Sequence, residues 1–280
     1  MPAPLYALGA IASVQVGATV ARHLFAFIGP SGTVFLRVAF GAGILLAVAR
    51  PRWPRFDTRQ WRAIVLFGLI IAGMNLCFYQ AIARIPLGVA VTIEFIGPLG
   101  VAIVSSRKAL DFAWAAMAAA GVAMLSFSGG AVTTLGLLFA LGAAAGWASY
   151  IVLSQRVGRL VPGPDGLAFA LAVGGLALLP FGVAGGGNRL LNLRNLALGL
   201  LVAILSSAIP FSLEFAALRR LSRQAFGILM SLEPAMGAAA GYLFLGQRLS
   251  LRDLIAIGLV MVASAGATRT APPPAATDVP

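Results

Sequence analysis

Long apolar runs separated by short polar clusters dominate this chain, and each run approaches the roughly 20 residues that a helix needs to cross a bilayer. Ten such spans are predicted: Leu5–Ala21, Gly32–Ala49, Trp61–Ala83, Leu87–Ser105, Phe112–Phe127, Leu135–Ser154, Asp165–Ala184, Leu196–Leu218, Gln224–Leu245 and Leu251–Thr268. They leave only short loops. The last ten residues, APPPAATDVP (271–280), are rich in Pro and Ala and are expected to be a disordered tail.

The pattern repeats. RIPLGVAVTIEFIGPLGVAIVS, from Arg84, lies over RQAFGILMSLEPAMGAAAGYLF, from Arg223, at an offset of 139 residues that matches Gly88 to Gly227, Thr92 to Ser231 and Glu94 to Glu233. YALGAIAS at Tyr6 resembles FALGAAAG at Phe139, an offset of 133 that lays span one over span six. Each half therefore holds five spans. An odd number makes the second half enter the membrane from the opposite side, so the expected fold is an all-α membrane protein of ten transmembrane helices built as two inverted five-helix repeats. The halves are read as residues 1–131 and 132–270.

Composition agrees with lipid as the solvent: 60% of residues are hydrophobic and 10% charged, against roughly 25% charged in soluble domains. The formal charge of +12 does not indicate nucleic acid, because the arginines stand singly or in short groups between apolar runs. Of the 20 basic residues, 13 fall on one side of the predicted membrane: Arg50, Arg52, Arg55, Arg59, Arg62, Arg107, Lys108, Arg156, Arg159, Arg219, Arg220, Arg223 and Arg269. Six fall on the other, and Arg37 lies within span two. The richer side is cytoplasmic by the positive-inside rule, which places both termini there. The first apolar run lacks the basic region and cleavage site of a signal peptide and is read as a retained helix.

Acids inside apolar spans need a reason, since an ionised side chain at mid-bilayer costs about 2.5–3.5 kcal/mol on insertion scales. Glu94 and Glu233 are the candidates. Each either binds a substrate or a proton, or satisfies backbone groups freed where Pro98 or Pro234 breaks the helix. Glu214, near the end of span eight, is read as reaching the interface toward Arg219 or Arg220, and Arg37 as a structural ion-pair partner that snorkels outward, contact with a substrate carboxylate being its alternative. Further candidate binding residues are Gln15 in span one, Asn75, Tyr79 and Gln80 in span three, and Trp147 and Tyr150 at helical spacing in span six. Pro210, after Ser206 and Ser207, is expected to kink span eight and expose carbonyls, so Pro98, Pro210 and Pro234 are the predicted helix breaks or hinges. GAAAG at Gly142–Gly146 and again at Gly237–Gly241 is read as close helix packing.

Missing parts narrow the class. No GxxxxGK[ST] phosphate loop is present, and a single histidine, His23, rules out metalloprotease and Ser-His arrangements. The one cysteine, Cys77, permits neither an intrachain disulfide nor a thiolate metal site, and no cofactor is expected. No channel filter motif appears.

Three phrases carry a family resemblance: PLGVAVTIEFIGPLGVAIVSSRKALDFAW, ILSSAIPFSLEFAALRRLSRQAFGILMSLEPAMG and SLEPAMGAAAGYLFLGQRLSLRDLIAIG. The chain resembles the EamA-type drug/metabolite transporters over nearly its whole length, and within them the inner-membrane threonine/homoserine exporters. The resemblance implies a secondary transporter, not an enzyme, exporting amino acids from the bacterial cytoplasm by alternating access, with the family's paired acids falling on Glu94 and Glu233. One departure is Gln247, where members commonly carry an acid after LG. Export of aromatic amino acids or of lipophilic cations on the same fold is the alternative, and a membrane scaffold or binding protein the reading from another class. The expected partners are a small amino-acid substrate and the bilayer, and a monomer suffices. The charge asymmetry predicts that green fluorescent protein fused after Thr270 fluoresces and that alkaline phosphatase at the same point is inactive; the opposite pair of results would contradict it.

Overall fold

Gly29 and Pro30 decide how the chain begins. The first helix, α1 (Ala3–Ala49), continues through the stretch expected to link spans one and two and breaks only at Gly29, whose φ of 67° and ψ of 172° are non-helical. A residue before proline is disfavoured in the helical region, and glycine alone takes a positive φ without steric cost. The break turns the helix back on itself. Gly17 in the first arm lies against Leu205 and Ser206, and Gly41 in the second lies against Ser207, although a straight helix would hold those two glycines about 36 Å apart.

The computed structural model describes residues 2–51, 56–104, 109–126, 132–161, 163–221 and 223–270. The tail 271–280 and four of the topology-setting basic residues, Arg52, Arg55, Arg107 and Lys108, lie outside them. The described residues are helical, without strands: α2 (Thr58–Ile82), α3 (Leu87–Glu94), α4 (Ile96–Val104), α5 (Ala109–Ser126), α6 (Thr134–Leu160) and α7 (Asp165–Gly186) fill the first part with α1. A 3₁₀ turn (Gly187–Leu191) leads to α8 (Leu193–Ala203), a π-helical segment (Ile204–Ala208), α9 (Ile209–Leu218), α10 (Arg223–Met230), α11 (Glu233–Leu245) and α12 (Leu251–Thr270). Seven helical stretches are long and apolar enough to cross a membrane, and two shorter apolar helices, Leu87–Val101 and Phe112–Leu125, accompany them.

Local chemistry explains the boundaries. Asp57 opens α2 with a capping box, its carboxylate accepting from Gln60 N (2.7 Å) while Gln60 Oε1 accepts from Asp57 N (2.9 Å). Thr133 caps α6 through Gly136 N. The predicted spans four, eight and nine are each interrupted, at Phe95, across Ile204–Ala208 and at Ser231–Leu232, close to Pro98, Pro210 and Pro234. Proline supplies no N–H to the carbonyl four residues back, so the ladder fails there.

Large side chains face outward, as lipid permits: Leu176, Phe181, Leu243 and Phe244 are exposed. The interior is held by small residues. Gly88 of α3 meets Ala238 of α11, Gly97 of α4 meets the Ala144 carbonyl of α6, and Gly142 and Gly146 of α6 meet Cys77 and Met74 of α2. Both GAAAG segments thus act in packing. A methyl group at Gly88 would sit 2.6 Å from Ala238 Cα, so Gly88→Ala is expected to lower the thermal midpoint in detergent, at an overpacking cost of about 1–3 kcal/mol. Gly73→Ala, at an α2 position with nothing within 4 Å, serves as the control and is expected to leave it unchanged or raise it.

Candidate functional site

The interrupted helices meet around an internal cavity of about 270 Å³. Ligand pockets for drug-sized molecules run from about 300 to 1,000 Å³, so this one suits a smaller guest. Its wall takes Gln15 and Arg37 from the two arms of α1, Asn75 and Tyr79 from α2, Glu94 from the end of α3, and Trp147 and Tyr150 from α6. Ser206, Ser207, Pro210 and Glu214 come from the π segment and α9, and Glu233 from the start of α11.

One carboxylate in the wall is met by a neutral side chain. Gln15 Nε2 donates to Glu233 Oε1 at 3.4 Å, across 218 residues of sequence. Glu233 Oε2 and Gln15 Oε1 are buried and accept no hydrogen bond. Two unfilled acceptors on adjacent side chains are expensive in a low-dielectric interior unless something with N–H groups visits them. The hydrogen bond that Glu233 accepts comes from a side chain, Gln15 Nε2, rather than from a backbone N–H at the start of α11.

Arg37, in the same wall, is held by neutral groups. It donates to Asn75 Oδ1, whose own amide is anchored by Nδ2 donating to Ile71 O (2.8 Å), and it donates to Ser206 O at 3.5 Å. The Ser206 carbonyl is available because Pro210, four residues on, has no N–H. Leu205 O, in the same π segment, accepts from Ser13 Oγ at 2.7 Å. The guanidinium also lies 5.5 Å from the centre of the Tyr79 ring, a cation–π distance. Tyr79 is buried and its hydroxyl has no partner. Trp147 packs edge-on against Phe95 beside the α3–α4 break, and Tyr150 against Phe67.

Of the predicted binding residues, Gln15, Asn75, Tyr79, Glu94, Trp147, Tyr150 and Glu233 come together in this cavity, and Gln80 does not. Gln80 faces the other way round α2, donating to Ser31 Oγ and accepting from Arg84; adjacent helical positions point about 100° apart, which separates it from Tyr79. Two expectations change. Glu214 joins the cavity wall, and Arg37 turns inward, not outward. Arg37 had one sequence signal, a lone cation well inside an apolar run. Its neutral partners sit 38 and 169 residues away and left no local pattern.

Comparison with known proteins gives this geometry its setting. The sequence matches the EamA-like transporter family twice, over residues 1–128 and 134–269. The chain belongs to that family. It is 42% identical over 266 residues to the threonine/homoserine exporter RhtA of Escherichia coli K12, covering 94% of this chain and 90% of that protein. It is 41% identical over 269 residues to the Salmonella typhimurium LT2 protein of the same name, covering 95% and 91%. Protein PecM of Dickeya dadantii is 30% identical over 241 residues, covering 81% and 78%. One crystal structure superposes with a TM-score of 0.63 over 96% of this chain and 97% of the other at 21% identity, a likeness of fold. As an EamA-like protein this chain is a membrane transporter and not an enzyme.

Gln247, the departure from the family resemblance, has a structural role in this EamA-like chain. Its Oε1 accepts from Leu87 N at 2.9 Å, and its backbone N–H donates to Gly241 O at 3.0 Å. It thus caps the first turn of α3 from the loop after α11 and ties the two Glu-bearing regions together. A carboxylate offers the same acceptor to a helix N-terminus. Gln247→Glu is therefore expected to keep the thermal midpoint near wild type, whereas Gln247→Leu loses the bond, about 1 kcal/mol, and lowers it; equal midpoints for all three would remove the capping role.

Proposed function

We propose that this protein exports amino acids of the threonine/homoserine kind from the cytoplasm across a bacterial inner membrane. The observation that carries this reading is the unfilled acceptor pair, Glu233 Oε2 and Gln15 Oε1, on side chains of a cavity sized for a small guest. An ammonium brings three N–H donors and no acceptor, which complements that pair. Glu94 and Glu214 add two further carboxyl groups to the same wall. The relatives named as threonine/homoserine exporters support the substrate class.

The transport cycle follows from the architecture. Ten crossings form two inverted five-helix halves, 1–131 and 132–270, with both termini cytoplasmic, and the cavity alternately faces each side as the halves rock. The two family matches support this division, as does the way the chain breaks beside Pro98 and again beside Pro234. Helix ends at those breaks, and at the π segment before Pro210, absorb the change in backbone angles. One chain contains both halves, so a monomer is sufficient. Its surroundings are lipid and its cargo is a small molecule.

Counterflow of labelled threonine, methionine and phenylalanine into proteoliposomes of the purified protein, with and without an imposed pH gradient, tests the reading. Saturable threonine flux is expected, and its response to the gradient separates proton antiport from facilitated exchange. Glu233→Gln is expected to lower that flux about tenfold or more, since a hydrogen-bonded charge contact contributes roughly 1.5–3 kcal/mol. Full activity of both Glu233→Gln and Glu94→Gln would sink the carboxylate role. Flux of a lipophilic cation without flux of any amino acid would move the protein to the drug-exporting branch, and ligand binding without flux would make it a binding protein.

A further inference from the structure

Arg37 is the cation of a cavity whose other charged side chains are Glu94, Glu214 and Glu233. Its hydrogen bonds nevertheless go to an amide oxygen and a backbone carbonyl, and its face lies over an aromatic ring. None of those groups carries a negative charge. A guanidinium has five N–H donors in a fixed fork, and two bonds leave part of that fork unused.

The surroundings fix the group inside the cavity. Asn75 is itself tied to Ile71 O, the Ser206 carbonyl is presented by the π segment before Pro210, and Tyr79 is buried beneath the guanidinium. A long side chain one or two turns into a span would otherwise reach toward the headgroups. An arginine whose hydrogen bonds in the membrane interior go to neutral groups, with part of its fork unused and the Glu94 carboxyl of the same wall acting on it only through space, is arranged to meet an anion that comes and goes. The Tyr79 hydroxyl, a further donor beside it, has no partner.

We infer that Arg37, with the Tyr79 hydroxyl, is the carboxylate-binding part of the transport site, and that the acceptor pair of Glu233 and Gln15 is its ammonium-binding part. This rests on the amino-acid reading above and adds the polarity of the bound substrate. Its carboxylate lies toward the second arm of α1 and α2, and its ammonium toward α11. The guanidinium fork matches a carboxylate through two parallel N–H···O bonds. The side chain of the substrate is left to Trp147 and Tyr150, which line the same cavity. Selection against substrates that lack a carboxylate is the consequence. Such a cation leaves Arg37 without its anion and adds a positive charge to a low-dielectric space.

The test uses labelled-threonine counterflow in proteoliposomes of the full chain, competed by unlabelled threonine and by threoninol, in which CH₂OH replaces the carboxylate. For wild type, threonine is expected to compete about ten- to a hundredfold better than threoninol, the range of a charge-assisted contact. Arg37→Gln is expected to bring that ratio close to one, and Arg37→Lys to leave an intermediate ratio because ammonium retains charge without the fork. A purely structural arginine would lower flux and leave the ratio alone, so loss of flux at an unchanged ratio overturns the assignment. Equal competition by both compounds in wild type also overturns it, and that result does not depend on the variants folding. Wild-type protein that carries no amino acid at all removes the amino-acid reading and this assignment with it, an outcome distinct from the other two.

Discussion

The constraint on which this structure depends is that lipid offers no hydrogen bonds, so a helix interrupted within the membrane must find partners for its freed backbone inside the protein. Pro210 releases the Ser206 carbonyl, and Arg37 takes it; the π segment turns the Leu205 carbonyl aside, and Ser13 takes that. At the mouth of α3 the Leu87 N–H is met by Gln247. In each case the partner comes from far along the chain. Breaks in helices therefore draw polar side chains inward, and where several breaks meet a polar cavity forms inside an otherwise apolar bundle.

Packing by small residues makes that convergence geometrically possible. Gly88 against Ala238 brings α3 beside α11, while Gly17 and Gly41 let both arms of α1 reach the π segment. Backbones at such distances hold the interrupted helices in register, while many large side chains, Leu176, Phe181, Leu243 and Phe244 among them, face lipid. A transporter gains from this, because small-residue contacts between helices slide and re-form with less repacking than an interlocked core of Leu and Phe. The cavity then combines ionisable side chains with neutral anchors: Arg37 on Asn75 and the Ser206 carbonyl, Glu233 on the Gln15 amide.

The sequence alone was enough for the class of protein and for its apolar, all-helical character, and it named most of the polar residues that line the cavity. Spans are set by runs of apolar residues, the partition of those runs into lipid is a local property, and the acid-plus-proline pattern at Glu94 and Glu233 is visible wherever an ionisable residue interrupts such a run. The polar face of Asn75 and Tyr79 was legible from helical spacing, since residues four apart share a face. Tertiary structure decided the rest. It carried α1 through to a break at Gly29, put Gln80 against Ser31 outside the cavity, and turned Arg37 and Glu214 inward. Nothing local encodes those outcomes, because in an almost uniformly apolar span the helical faces are poorly marked, and the direction a long charged side chain takes depends on partners contributed by helices up to 169 residues away.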